Sequence, residues 1–322
     1  MNLAFTICSA NYLPYAKAVG DSLIKHNPGY QFIIALADEY QVSNTSFFEP
    51  HQVVPVQQMN IPGLAEMNNR YNIFELSCAL KPFVSRYLLT LHPHCQALFY
   101  FDSDIILFSS LQKAENILQT NFLLLTPHLA SPLPYEAAVA TELDILRTGI
   151  YNAGFFGLKN TEEGFVFLDW WEQRLRHHCF NDAAHGLFVD QLWLSLAPVF
   201  FRNCFVLYDP GYNLAYWNFL ERRLSIWDGQ YLVNEKHPLV FYHYSGYDIQ
   251  QPEKISRHQR EGLTLTTLPE YKSLFDAYRT AINANNTENF FSLPTTMGKP
   301  IEIPAVREKN FFKRKYKKLF KK

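Results

Sequence analysis

The sequence predicts an α/β fold built on a parallel sheet, and the pattern is clear within the first 40 residues. Short apolar runs at 3–8 (LAFTIC) and 32–37 (FIIALA) are bounded by polar or turn residues, as buried strands are. Between them, residues 14–26 begin with Pro14 and repeat apolar residues at helical spacing. A strand, a helix and a second strand in this order favour two parallel strands joined by a right-handed crossover.

The same alternation of apolar runs and helical patterns continues along the chain. Further strands are predicted at 97–101 (ALFYF), 122–126 (FLLLT), 152–158 (NAGFFGL) and 239–244 (LVFYHY). Residues 72–91 predict a helix that Pro82 either kinks or divides into two. Residues 161–176 predict an amphipathic helix capped by Thr161. Residues 283–304 carry Asn, Thr and Pro without periodicity and predict a linker to the C-terminal segment.

Composition is that of an ordinary globular protein with many aromatic rings. Of 322 residues, 48% are hydrophobic, 18% charged and 16% aromatic, enough for one large α/β domain or a domain with a small appendage. Most rings are expected in the core, although exposed rings suit stacking on bases or sugars. Five widely spaced cysteines without a C-x-x-C pair disfavour a disulfide framework or a zinc knuckle. With neither a signal peptide nor an apolar run of ~20 residues, we expect a cytoplasmic protein.

The sharpest chemical signal is the motif YFDSDIIL at 100–107. An apolar strand runs into Asp102-Ser103-Asp104 and places two carboxylates at the carboxyl end of a strand, the edge where open α/β sheets bind ligands. Two close carboxylates repel each other unless a cation lies between them, and hard oxygen ligands suit Mn²⁺ or Mg²⁺. Such an ion can bridge a diphosphate and stabilise it as a leaving group. A D-x-D pair alone also arises in turns and helix caps.

His243, in FYHYSGYD, ends a second apolar run. A histidine beside aromatic residues is usually a hydrogen-bonded core residue. Here Gly246 and the polar residues after it indicate that the backbone opens at a site. A neutral imidazole added to two carboxylates favours Mn²⁺ over Mg²⁺, because nitrogen ligands suit softer cations. The predicted metal ligands are therefore Asp102, Asp104 and His243.

At these residues the chain resembles the GT-A glycosyltransferases, and most of all the retaining family of glycogenin and the bacterial lipopolysaccharide galactosyltransferases (glycosyltransferase family 8). Over roughly residues 1–250, the blocks that carry the resemblance are Ser9-Ala10-Asn11-Tyr12, Asp102-Ser103-Asp104, Tyr151-Asn152-Ala153-Gly154, Asp190-Gln191 and His243-Tyr244-Ser245-Gly246. The resemblance implies a Rossmann-like single domain with a mixed, mostly parallel central sheet and helices on both faces. We expect this catalytic domain over 1–265, a helical or linker extension over 266–306, and a basic tail over 307–322.

The resemblance also implies roles for single residues. It implies that Asp104 and His243 bind the metal while Asp102 is shared between metal and ribose, and that Asn11 and Tyr12 hold uracil. The implied donor-binding residues are Ser9, Asn11, Tyr12, Lys81, Asp102, Ser103, Gly154 and Gly246, and the implied catalytic residues are Asn152, Asp190 and Gln191. Lys81, where the family more often has Arg, is otherwise a solvated helical lysine. The pair Asp190-Gln191 is otherwise a helix-start cap.

Other positions depart from that family. Ser9 and Ala10 stand where an acidic residue is common, and Lys254 is the nearest match to its phosphate-binding lysine. The segments 168–172 and 209–218 have no counterpart that can be placed there. The chain is therefore expected to be a divergent relative.

The function expected from these features is metal-dependent transfer of a sugar from a nucleotide diphosphate donor. The resemblance implies a UDP-sugar donor, retention of configuration, and a glycan, lipid-linked or protein acceptor. One alternative is a sugar-nucleotide pyrophosphorylase, which is disfavoured because SANYLPYAK lacks the glycine-rich phosphate loop of such enzymes. The other is a non-catalytic carbohydrate- or nucleotide-sugar-binding protein.

The net charge of −1 hides a basic C-terminus. Residues 307–322 carry nine Lys or Arg and one Glu, so that the rest of the chain has a net charge of −9. Phe312, Tyr316, Leu319 and Phe320 fall on one helical face, which predicts a helix lying on an anionic membrane surface, on the inner face for a cytoplasmic protein. A disordered, solvated tail is the alternative. Nucleic acid is not an expected partner, because the acidic body repels its phosphates.

Overall fold

The structure is a computed structural model that describes residues 1–40, 45–134, 142–259 and 262–300. The strands are β1 (Asn2–Cys8), β2 (Tyr30–Leu36), β3 (Gln52–Pro55), β4 (Ala97–Phe101), β5 (Ile105–Leu107), β6 (Leu123–Pro127), β7 (Tyr151–Leu158), β8 (Asn181–Asp182), β9 (Leu187–Phe188), β10 (Cys204–Val206), β11 (Leu224–Trp227), β12 (Gln230–Val233), β13 (His237–Pro238) and β14 (Phe241–His243). The α-helices are α1 (Leu13–His26), α2 (Leu64–Asn68), α3 (Ile73–Leu91), α4 (Gln112–Leu118), α5 (Glu142–Thr148), α6 (Glu162–His178), α7 (Gln191–Leu194), α8 (Ala197–Phe200) and α9 (Lys272–Asn285). Every strand and helix predicted within the described residues is present, whereas the helix predicted in the basic segment 307–322 lies outside them.

A seven-stranded sheet in the order β10-β6-β7-β4-β1-β2-β3 forms the centre of the molecule. Strands β4, β1, β2 and β3 are parallel neighbours, and β6 is parallel to β10. Strand β7 lies between these two groups and runs antiparallel to both β4 and β6. The sheet is therefore mixed and mostly parallel, which confirms the predicted fold class.

Helices cover both faces of this sheet, because both faces of its central strands are apolar. On β1, Leu3 and Phe5 enter one hydrophobic layer together with buried residues of α3 and α6. Ala4 and Cys8 enter a second layer together with residues of α1 and α4. Burial of alternate side chains on opposite faces explains why such strands read as continuous apolar runs.

Helix α3 is one continuous helix that contains Pro82. Its start is fixed by a capping box, in which the Asn72 side chain accepts from the Glu75 amide at 3.0 Å and the Glu75 carboxylate accepts from the Asn72 amide at 3.1 Å. Helix α6 is capped by Thr161, as predicted, through a bond from the Gly164 amide at 3.2 Å. These caps fix the ends of the two helices that pack together beneath the sheet.

The chain after β14 packs back onto the body. Strand β14 pairs antiparallel with β5, and α9 lies against α1. Phe290 is buried in the second hydrophobic layer and Met297 in the first. The described part of the predicted linker therefore contacts both layers, whereas the basic segment 307–322 lies outside the described residues. None of the helices in the described ranges is long and apolar enough to cross a membrane.

Candidate active site

Asp102, Asp104 and His243 come together at one edge of the sheet. The two aspartates lie between β4 and β5, and the pairing of β14 with β5 sets His243 opposite Ile105. One ligand atom from each of the three side chains lies within 4.8 Å of the other two. Nε2 of His243 is 3.1 Å from Oδ1 of Asp104 and 3.9 Å from Oδ2 of Asp102. Two strands distant in sequence thus build one cluster of two carboxylates and an imidazole.

Attraction within this cluster outweighs the cost of burying its charges. Burial acts to lower the pKa of His243, but Asp104 and Asp102 raise it above its ordinary value. Burial likewise acts to raise the pKa of Asp104, but the imidazole lowers it. The surroundings therefore favour positive charge beside the two carboxylates, and a divalent cation held by the three side chains would supply that charge. The donor set of two carboxylate oxygens and one imidazole nitrogen suits Mn²⁺.

Gly154 on β7 allows the strand to pass directly beside this cluster. A Cβ atom at Gly154 would stand 2.5 Å from Cε1 of His243 and 2.7 Å from Oδ2 of Asp102. The Asp102 amide donates to the Gly154 carbonyl at 2.8 Å, which holds the two backbones together. Only a residue without a side chain fits this approach.

Lys81 of α3 is buried at the same edge, with 3% of its side chain exposed, so the solvated alternative is wrong. Its ammonium is 2.9 Å from Oδ2 of Asp190, 3.0 Å from the Ala153 carbonyl and 3.4 Å from Oδ1 of Asp102. Burial raises the pKa of Asp190, and Lys81 opposes that shift. Asp190 precedes α7 but its side chain makes no cap hydrogen bond, so the cap alternative does not hold for this residue.

Asn152 and Gln191 form a buried amide network next to Lys81. Oε1 of Gln191 accepts from the Asn152 side chain at 3.2 Å and from the Ala153 amide at 3.1 Å. Nε2 of Gln191 donates to the Thr148 carbonyl at 2.9 Å. These bonds fix the start of β7 against the start of α7, so that Asn152, Asp190 and Gln191 lie together.

The residues after β1 form a short turn in which Tyr12 lies near Asp104. Ser9 donates to Oδ1 of Asn11 at 2.6 Å, which orients that amide. Tyr12 is 41% exposed, and burial followed by the nearby charge of Asp104 raises its pKa. Its hydroxyl therefore lies within the electrostatic field of Asp104.

The remaining predicted residues lie next to the metal-ligand cluster in sequence. Ser103 is half-buried between the two aspartates. Gly246 has a φ of +72°, which favours glycine, and a Cβ there would stand 2.4 Å from Cδ2 of His258. The turn after His243 thus depends on this glycine.

Three further residues of the site carry no motif in the sequence. Asn213 donates to Oδ1 of Asn152 at 3.1 Å, and the Trp217 ring lies 5.3 Å from that of His243 and 5.2 Å from that of His128. Both Asn213 and Trp217 belong to the segment 209–218 that has no counterpart in the resembling family. The aromatic and amide residues clustered in DPGYNLAYWN are the signal that could have drawn attention to it.

Comparison with known proteins agrees with this architecture. No family model matches the chain. The chain is 27% identical over 275 residues to YfnF, an uncharacterized protein of Bacillus subtilis (strain 168), a match that covers 84% of this chain and 89% of YfnF. The structure of the galactosyltransferase LgtC in complex with donor and acceptor sugar analogues matches with a TM-score of 0.52 and 13% identity, covering 87% of this chain and 96% of LgtC.

The fold is that of the GT-A glycosyltransferases. The bifunctional glycosyltransferase WbbM also matches, with a TM-score of 0.52 and 13% identity over 88% of this chain and 51% of WbbM. The resemblance inferred from the ordered motifs is thus confirmed at the level of the fold, and the low identity agrees with a divergent member.

His128, which follows β6, is expected to make stability depend on pH. Burial lowers its pKa from the ordinary 6.5 to about 4, and its neutral ring accepts from the Asn152 side chain at 3.3 Å. Between pH 6.5 and 4, His128 therefore binds a proton in the unfolded chain but not in the folded chain. The free energy of unfolding falls as the pH drops through this range. The loss is on the order of 3 kcal/mol.

Urea unfolding of the wild-type chain and of His128→Asn across this pH range measures the effect. The variant should show a shallower pH dependence, while His94→Asn, which removes an exposed imidazole, should keep the wild-type slope. Equal slopes for the wild type and His128→Asn would show that His128 is not buried in its neutral form.

Proposed function

We propose that this chain is a metal-dependent glycosyltransferase that moves a sugar from a nucleotide diphosphate donor, a UDP-sugar, to a hydroxyl of a glycan, lipid-linked or protein acceptor. The observation that carries the proposal is the cluster of Asp102, Asp104 and His243 at the sheet edge of a GT-A fold. That edge is where open α/β sheets bind their ligands.

Asp102, Asp104 and His243 are the residues proposed to hold Mn²⁺ or Mg²⁺. The imidazole favours Mn²⁺. When bound, the ion supplies positive charge that stabilises the diphosphate as it leaves. Asn11 and Tyr12, with Ser9 orienting Asn11, are the proposed contacts to the base.

The sugar is proposed to lie beside Asn152, Gln191 and Gly154. Asp190 is buried against Lys81, which supports a role in positioning rather than direct attack on the anomeric carbon. For the retention that the resemblance implies, the acceptor hydroxyl attacks from the face of the leaving group and passes its proton to the departing phosphate oxygen. The role of the chain's own residues is then to orient the donor and exclude water.

Replacing one metal ligand tests this proposal directly. Asp104→Asn removes the charge that pairs with His243. We expect Mn²⁺-dependent hydrolysis and transfer from a UDP-sugar to be abolished in a variant that still unfolds cooperatively, because the substitution preserves the volume of the side chain. Glu66→Gln, an exposed neutralisation on α2, is the matched control and should keep full activity. If Asp104→Asn turns over substrate at the wild-type rate in the presence of the metal, Asp104 is not a metal ligand. Mn²⁺-dependent turnover by the wild-type chain would exclude the alternative of a non-catalytic binding protein.

The donor is identified by a thermal-shift screen of nucleotide sugars with and without Mn²⁺. A ligand that binds only the folded state stabilises it by about 2.7 kcal/mol at a hundred times its Kd. We expect the true donor to raise the unfolding midpoint most when Mn²⁺ is present, because the ion joins the diphosphate to the protein. A shift that is independent of Mn²⁺ for every nucleotide sugar would contradict the proposed binding mode.

The basic segment 307–322 is proposed to attach the enzyme to an anionic membrane surface. Deleting it should release the protein from vesicles containing acidic phospholipid while UDP-sugar hydrolysis is retained. A full-length variant with serine at Phe312, Tyr316, Leu319 and Phe320 keeps every charge and should bind more weakly than the wild type, because apolar burial adds to electrostatic attraction. Equal partitioning of the deleted and intact chains would refute the attachment.

A further inference from the structure

We infer that Tyr100 and Lys81 position Asp102 for the cation without touching the cation themselves. The inference rests on the proposed metal site and assigns it two supporting residues. It also gives Lys81 a different task from the phosphate- or sugar-facing role that the family resemblance implies.

The two oxygens of Asp102 have different surroundings. Oδ1 accepts a hydrogen bond from the Tyr100 hydroxyl at 2.6 Å and lies 3.4 Å from the Lys81 ammonium. Oδ2 faces the other way, 3.9 Å from Nε2 of His243 and beside Gly154. The contacts on Oδ1 fix the rotation of the carboxylate and leave Oδ2 directed at the metal-ligand cluster. Asp102 is thus prepared to bind a cation through one oxygen.

Tyr100 is held rigidly by the core of the protein. It lies on β4 and is 2% exposed, and its ring stacks on Phe156 at 5.2 Å and contacts Phe5 at 5.0 Å. The ring has no room to turn, so the position of its hydroxyl is set by the packing of the first hydrophobic layer. The packing of the core thus helps to fix the position of Asp102 through the hydrogen bond from the Tyr100 hydroxyl.

Lys81 is surrounded by oxygens of the protein. The Lys81 ammonium donates a hydrogen bond to the Ala153 carbonyl and forms ion pairs with Asp190 and Asp102. The Lys81 ammonium also lies 4.6 Å above the Tyr100 ring. The buried ammonium of Lys81 thus balances the charges of Asp102 and Asp190. It also joins β7, through the Ala153 carbonyl, to the loop that carries Asp102. Residues behind metal ligands commonly change metal affinity by about 10- to 100-fold when altered.

Removal of the Tyr100 hydroxyl tests the inference without relying on turnover. We expect Tyr100→Phe to weaken Mn²⁺ binding by about 10-fold or more, measured by electron paramagnetic resonance of free Mn²⁺ with and without UDP. Tyr30→Phe is the matched control, because the Tyr30 hydroxyl also donates to a carboxylate, Oε1 of Glu115 at 2.5 Å, outside the cluster. The control should bind Mn²⁺ like the wild type. Thermal unfolding verifies that each variant is folded.

Lys81 is tested by a pair of variants. Lys81→Met removes the ammonium beside Oδ1 of Asp102, so that this carboxylate is held less firmly and Mn²⁺ binding should weaken, whereas Lys81→Arg keeps a positively charged donor there and should restore part of the affinity. Wild-type Mn²⁺ affinity in a folded Tyr100→Phe protein overturns the inference while leaving the proposed function intact. Absence of Mn²⁺ binding by the wild-type chain, with UDP present, overturns both.

Discussion

Repulsion among neighbouring carboxylates is the constraint on which the site depends. Asp102 and Asp104, which are half-buried, and Asp190, which is buried, gather at one edge of the sheet, where uncompensated negative charge is costly. Two groups from distant parts of the chain offset this charge. Lys81 of α3 lies between Asp102 and Asp190, and His243 of β14 pairs with Asp104. The fold must bring both groups to this edge before the carboxylates can be held together.

The direction of β7 explains how Asn152 and Gly154 reach the same edge. A parallel strand presents its carboxyl end there, as β4 does. Because β7 runs antiparallel to β4, it presents its beginning instead, and Asn152 and Gly154 therefore lie beside Asp102. One reversed strand thus places the Asn152 amide and a glycine next to the proposed metal ligands. The amide network with Gln191 then ties this strand to α7.

The strands were predictable because both of their faces are buried, and Asp102 and Asp104 were predictable because they end such a strand. The burial of Lys81 was not predictable, because the residues around a helical lysine do not show whether its side chain forms a buried ion pair or is exposed to solvent. Trp217 and His128 are brought to the site only by tertiary packing.

The β11–β12 hairpin, by contrast, has a local signal in the sequence. Asp228 and Gly229, both with positive φ, form its two-residue turn. An Asp-Gly pair between apolar runs is a strong hairpin signal. That element was missed although its local signal is present.

The proposed base-binding loop is held by Asp38 and by residues of the segment after β14. Asp38, after β2, accepts from the Ala10 amide at 3.1 Å and from the Thr296 amide at 2.9 Å. The Asn285 side chain donates to the Pro14 carbonyl at 3.1 Å. The ring of Phe291 lies 5.7 Å from that of Tyr15. The segment after β14 thus contacts one side of the loop that carries Asn11 and Tyr12 directly, and the other side through Asp38. Because these contacts help to set the shape of the loop, residues 285–296 are packed parts of the fold rather than a passive connection to the tail.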